Sequence, residues 1–101
     1  MTKITVMYGH PTSSEEFEKY YSTTHLPLAA TMNDVVRIEL TKFISGPDGT
    51  KPAFYRMAEL YFSTRQELEQ TLASPEGKAT VADLAKFATG GVTVLIGAVG
   101  P

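Results

Sequence analysis

Three short runs of this chain carry apolar side chains in both phases of a β-strand, and this feature constrains the fold most. In "KITVMY" (residues 3–8), Ile4, Val6 and Tyr8 alternate with Thr5 and Met7. "FYRMAELYF" (54–62) has large apolar groups in both phases, and "VTVLIGAV" (92–99) places Val94, Leu95 and Ile96 in succession. Side chains at i and i+2 share one face of a strand and those at i+1 the other, so such strands expect cover on both faces of their sheet. Two helical stretches are available to provide it, and they are enough for one face.

The helical stretches are marked by their caps. "TSSEEF" (12–17) offers Thr12 with Glu15 and Ser13 with Glu16 at capping-box spacing, and its acidic residues favour the positive end of the helix dipole. Phe17, Tyr20 or Tyr21, Thr24 and Leu28 then recur at intervals of three and four, the stripe of an amphipathic helix. Pro27 lacks an amide and crowds the preceding turn, which predicts a kink or restart near His25. A second helical stretch (63–88) carries Leu68, Leu72, Val81, Leu84 and Phe87, and Ser74-Pro75 divides it in two. Val35 to Ile44 reads as a strand, joined to the return strand 54–62 through the Pro-Asp-Gly turn of segment 45–53.

The resulting order is β-α-β-β-α-β, the split βαβ arrangement of a ferredoxin-like α+β fold. It predicts one four-stranded antiparallel sheet with the helices on one face, in a single domain spanning 1–101. An uncovered apolar face would exceed the roughly 300–600 Å² patch usual on a monomer, so the sequence predicts a homodimer packed sheet to sheet.

Composition narrows the partners. A formal charge of -2 gives no attraction to phosphate backbones or anionic lipid, so neither nucleic acid nor membrane is expected. Cysteine is absent, which removes thiolate nucleophiles, thiolate metal ligands and disulfides. No segment approaches the ~20 apolar residues of a membrane span and the N-terminus does not read as a signal peptide, so the expected location is cytoplasmic. The two histidines lie fifteen residues apart without an H-E-x-x-H pattern, and there is neither G-x-S-x-G nor G-x-G-x-x-G. "GPDGTK" (46–51) lacks the ending of a phosphate loop and reads as a hairpin turn. No metal and no cofactor is expected.

With one sheet face given to a partner, a ligand is sought between the other face and the helices. At about 100° per residue, His25 lies some 80° from the Phe17 direction, beside Tyr21 at the margin of the core stripe. There it can give or take a proton near neutral pH, or it can hydrogen-bond a carbonyl freed by the proline. His10, before Pro11, reads as an exposed turn residue. Arg37 and Glu39 share one strand face, while Glu59 sits between Met57 and Tyr61 in the opposite phase to Arg56. Buried charges must pair, so Arg37 or Arg56 is expected either in a structural ion pair with a glutamate or as an anchor for an anionic group. In the second case a glutamate acts as base or orients His25. Tyr8, Tyr20, Tyr21, Tyr55 and Tyr61 can line a pocket with apolar bodies and hydroxyl tips.

The runs "FEKYYSTTHLPLA" (17–29), "FYRMAELYF" (54–62), "SPEGKATVADLAKFATGG" (74–91) and the terminal "VTVLIGAV" together resemble the EthD family, named for a protein of ethyl tert-butyl ether degradation. The resemblance covers nearly the whole chain. It implies a ferredoxin-like protomer of the dimeric α+β barrel superfamily, whose members include cofactor-free monooxygenases, muconolactone isomerases, polyketide cyclases, decarboxylases and haem proteins. The H-x-P-L motif falls on His25, Pro27 and Leu28, and related methylmuconolactone isomerases place such a histidine by the substrate pocket. His25 could also serve as an axial haem ligand, although nothing else in the sequence demands iron.

The expected protein is a small enzyme-like dimer that binds a small hydrophobic, carbonyl-bearing intermediate of catabolic or polyketide type. It would isomerise, cyclise or decarboxylate this compound by proton transfer. His25 would move the proton, Glu59 or Arg37 would orient it or stabilise charge, and Tyr8, Tyr21, Leu28 and Tyr61 would contact the ligand. The alternative is a non-catalytic binder or an accessory to a degradative oxygenase, in which His25 only fixes the kink.

Overall fold

Period-two strands and capped helices assemble in the computed structural model, which describes all residues Met1–Pro101, in the order expected. Strands β1 (Thr2–Tyr8), β2 (Arg37–Lys42), β3 (Arg56–Phe62) and β4 (Val92–Ala98) form one antiparallel sheet in the spatial order β2-β3-β1-β4. Between β1 and β2 the chain runs through α1 (Ser14–Tyr20), a π-helical turn (Tyr21–His25) and α2 (Leu26–Ala29). Between β3 and β4 come α3 (Arg65–Ala73), α4 (Pro75–Asp83) and a short 3₁₀ turn (Leu84–Lys86).

The caps explain these starts. Ser13 Oγ accepts the Glu16 amide at 3.2 Å, Thr64 Oγ1 that of Glu67 at 3.1 Å, and Ser74 Oγ that of Gly77 at 3.1 Å. Gly77 allows α4 to turn tightly off α3, because a Cβ there would collide with the Thr71 carbonyl.

Register sets the two faces. Toward the helices lie three cross-strand rows: Ile38–Leu60–Ile4–Ile96, Leu40–Ala58–Val6–Val94 and Lys42–Arg56–Tyr8–Val92. Toward the open side lie Arg37–Tyr61–Lys3–Gly97, Glu39–Glu59–Thr5–Leu95 and Thr41–Met57–Met7–Thr93. The expectation of two apolar faces therefore needs correction, because the open face is largely polar and Leu95 is its one aliphatic side chain. Most of the exposed aliphatics instead border the helix-covered side. The helices shield the central strands β1 and β3, while Ile38, Leu40, Val92, Val94 and Ile96 on the edge strands remain 37–49% exposed.

The core itself is aromatic. Phe17 lies 5.1–5.3 Å from the rings of Tyr8, Tyr21, Tyr55 and Phe87, mostly edge-on or tilted, the arrangements their quadrupoles favour. His10 is not a free turn residue. Its Nε2 lies 2.7 Å from the Pro52 carbonyl, which ties the turn after β1 to the β2–β3 connection.

Candidate active site

The first helical segment shows how its polar residues are accommodated. Phe17, Tyr21, His25 and Ala29, four residues apart, are all buried, whereas Thr24 is exposed and Leu28 only half-buried. An α-helix advances about 100° per residue and would carry a spacing of four progressively off the core face. The π turn compensates. The Leu26 amide bonds back to the Tyr21 carbonyl, five residues earlier, so the helix rotates less per residue immediately before Pro27. Hydroxyls occupy carbonyls along the widened stretch: Ser22 Oγ donates to Glu18 O at 2.9 Å and Thr23 Oγ1 to Lys19 O at 2.6 Å. His25 is thereby placed inside the core stripe, 5% exposed, rather than at its margin.

Its partner there is a carboxylate. His25 Nδ1 lies 2.9 Å from Asp83 Oδ2, and the Tyr20 hydroxyl donates to Asp83 Oδ1 at 2.7 Å. Burial pushes the Asp83 carboxyl up, but the hydrogen bonds from Tyr20 and His25 outweigh it, and the group sits below the usual carboxylate range. An ionised Asp83 is a pure acceptor, so the proton of a neutral His25 is assigned to Nδ1 and the lone pair to Nε2. Phe87 packs 4.6 Å from the imidazole centroid, and Tyr21 stacks nearly parallel to it at 6.0 Å.

His25 lines a cavity between the helices and the sheet. The space inside it is about 60 Å³, small for a ligand site, and it widens through an open mouth toward solvent. Fifteen of its seventeen lining residues are hydrophobic, the other two being His25 and Thr80. Tyr8 and Tyr21 also line it, and the buried Tyr21 hydroxyl has no hydrogen-bond partner in the protein. Burial, above all, pushes both phenols up, Tyr21 to about 12 and Tyr8 further, so each is a neutral hydroxyl able to donate. No three His, Asp or Glu side chains converge in a way that could hold a metal ion.

The structure brings together His25, Tyr8 and Tyr21 of the residues singled out in the sequence. Leu28 does not line the cavity; Leu26 and Ala29 do. Arg37, Glu59 and Tyr61 stand on the opposite face of the sheet, separated from His25 by its thickness. There Lys3 Nζ meets Glu59 Oε2 at 2.6 Å, the Arg37 guanidinium lies 4.1 Å from the Tyr61 ring centroid, and Arg37 pairs with Glu39 at 3.5 Å. Neither Arg37 nor Glu59 can orient the imidazole from that side. On the helix side Arg56 forms the bidentate ion pair, with Glu18 at 2.5 and 2.9 Å, while the Tyr55 hydroxyl donates to the same carboxylate at 2.9 Å.

Asp83 is not singled out by the sequence, and Tyr20 is singled out only as one of the tyrosines able to line a pocket, not as the partner of a carboxylate. A signal existed: an acidic residue at the C-terminal end of a helix opposes the dipole, and Asp83 shares a face with Thr80 and Phe87, at spacings of three and four.

The comparisons with known proteins agree with this architecture. The family model described as the EthD domain matches residues 9–91. A curated relative from Rhodococcus erythropolis, described as an uncharacterized 11.0 kDa protein in the thcB-thcC intergenic region, is 42% identical over 95 residues, covering 94% of this chain and 91% of the relative. The crystal structure of an ethyl tert-butyl ether degradation family protein from Bacillus halodurans superposes with a TM-score of 0.93 at 31% identity, over 99% of both chains. Two more distant structures share the fold. The hydroxynitrile lyase of Passiflora edulis has a TM-score of 0.77 at 11% identity, over 98% of this chain and 93% of its own. A dimeric ferredoxin-like protein of Thermobifida fusca has a TM-score of 0.70 at 10% identity, over 97% and 90%.

Proposed function

Given that this chain belongs to the EthD family, we propose that it binds a small hydrophobic, carbonyl-bearing compound beneath its helices and moves a proton on it through His25. One observation carries the reading: a buried imidazole, held by a buried carboxylate through Nδ1, borders an otherwise apolar cavity. Asp83 fixes the tautomer and stabilises the imidazolium, so Nε2 accepts a proton from the carbon beside the carbonyl. The electron pair left behind moves onto the carbonyl oxygen, where the neutral hydroxyl of Tyr8 or Tyr21 donates to the resulting enolate. Return of the proton from Nε2 to another position completes an isomerisation; attack of the same carbanion on a second carbonyl closes a ring, and the alkoxide so formed takes the proton back from Nε2. The hydroxynitrile lyase among the structural neighbours supports only the point that this fold can carry an active site, since fold does not fix the reaction.

The protomer is further proposed to pair with a second copy through its open sheet face. The exposed Leu95 and the half-buried Met7 and Met57 on that face support this, as does the dimeric neighbour of the same fold. An accessory, non-catalytic binder is the second reading, favoured by the almost wholly apolar wall.

Deuterium exchange at the carbons flanking the carbonyl of methyl nonyl ketone, followed by NMR in D₂O, separates the two. Wild type should accelerate exchange, and His25→Gln should remove roughly 10²–10⁴-fold of rate while ketone binding persists. Binding without acceleration in wild type would leave only the accessory reading.

A further inference from the structure

The floor of the cavity and the chemistry of its wall narrow the ligand beyond a hydrophobic carbonyl compound. One cross-strand row, Leu40–Ala58–Val6–Val94, contributes all four of its members to the lining. Three strand spacings separate its ends, a span of about 14 Å. Ala58 is small and lies between the bulkier Leu40 and Val6, so the floor dips at the centre of the sheet. At the ends of the row Leu40 and Val94 are 44% and 42% exposed, so the slot approaches both edges of the sheet.

The wall contains no Lys, Arg, Asp or Glu. Thr80 commits its hydroxyl proton to the Glu76 carbonyl at 2.8 Å. Arg56, stacked 5.2 Å from the Tyr21 ring centroid, is not part of the wall, and Glu18 occupies its guanidinium from two positions. His25, the one wall residue able to carry a positive charge, already faces Asp83. An anionic ligand would therefore shed water without gaining a free counter-charge, a penalty that apolar contact does not repay. We infer that the cavity takes an uncharged, extended, mostly apolar compound with one carbonyl or hydroxyl oxygen at His25, and that it rejects the carboxylate of the same skeleton. This rests on the reading of the cavity as the ligand site but not on proton transfer.

Methyl nonyl ketone and undecanoate form a matched pair for the test, titrated into the full-length protein at about pH 8 by calorimetry and by methyl NMR. The expected result is ketone-induced shifts at Val6, Leu60 and Val94, with undecanoate binding at least about 100-fold more weakly. Undecanoate affinity should then rise as the pH is lowered toward its own pKa. Ala58→Leu, which fills the dip, should abolish ketone binding. Val94→Phe at the exposed end of the row serves the same purpose should Ala58→Leu fail to fold. Undecanoate binding within tenfold of the ketone, or no binding of either, would overturn the inference. His25→Gln should keep the preference for the ketone. A protein that prefers the ketone but does not exchange its protons would fail the catalytic reading and leave this one standing.

Discussion

The two faces of the sheet are cut from alternate residues of the same four strands, yet they handle charge in opposite ways. On the open face Lys3, Arg37, Glu39 and Glu59 neutralise one another in the plane of the sheet, close to water. Glu39 and Glu59 are direct cross-strand partners, an arrangement of like charges relieved by Arg37 and Lys3 on either side. On the covered face polar groups are sparse and segregated. Arg56 and Glu18 close one end with a half-buried fork, and His25 with Asp83 is held between aromatic rings further inside. Pairing is sufficient where water is near, whereas in the dry layer each polar atom also needs an assigned partner or a ligand.

The largest effect should come from emptying the dry layer. Phe17→Ala should cost about 3–5 kcal/mol in denaturant unfolding, whereas Thr93→Ala on the open face should stay within ~0.5 kcal/mol. Equal losses would break the contrast. Asp83→Asn should cost ~1.5–3 kcal/mol near neutral pH, the worth of hydrogen bonds to a charged group. Its native carboxyl is held below the unfolded value of about 3.9, so this stability is present above that pH and lost as the pH falls through the native pKa. Wild-type and Asp83→Asn stabilities should therefore converge in acid; a constant gap would remove the linkage. Arg56→Lys, which trades a fork for a point charge, should cost about 1–2 kcal/mol. The smallest change in protomer stability is expected for Leu95→Glu on the open face, read instead by sedimentation. It should shift a dimer toward monomer, and an unaltered dimer would place the contact elsewhere.

Much of the fold was legible because its signals are local. Ser13, Thr64 and Ser74 announce helix starts through hydrogen bonds three residues ahead, and strand alternation needs only neighbouring residues. The site was legible in part for the same reason. His25 stood out beside Pro27, but its carboxylate lies 58 residues further along, in contact only after the helices have docked. Alternation also gave the correct grouping of Glu59 with Tyr61 without revealing which face the helices cover. That choice belongs to the packing of the whole chain, and it separates Arg37 and Glu59 from the imidazole.

The widened turn from Tyr21 to His25 makes the position of the imidazole a matter of counting. Deleting one codon among Ser22, Thr23 and Thr24 would let the segment relax to an ordinary α-helix. The later side chains would then keep nearly their present directions, because His25, seven positions from Phe17 at about 100° each, would fall within roughly 20° of it. The widened turn thus absorbs one residue that an ordinary helix aiming the same ring at the same carboxylate would not contain.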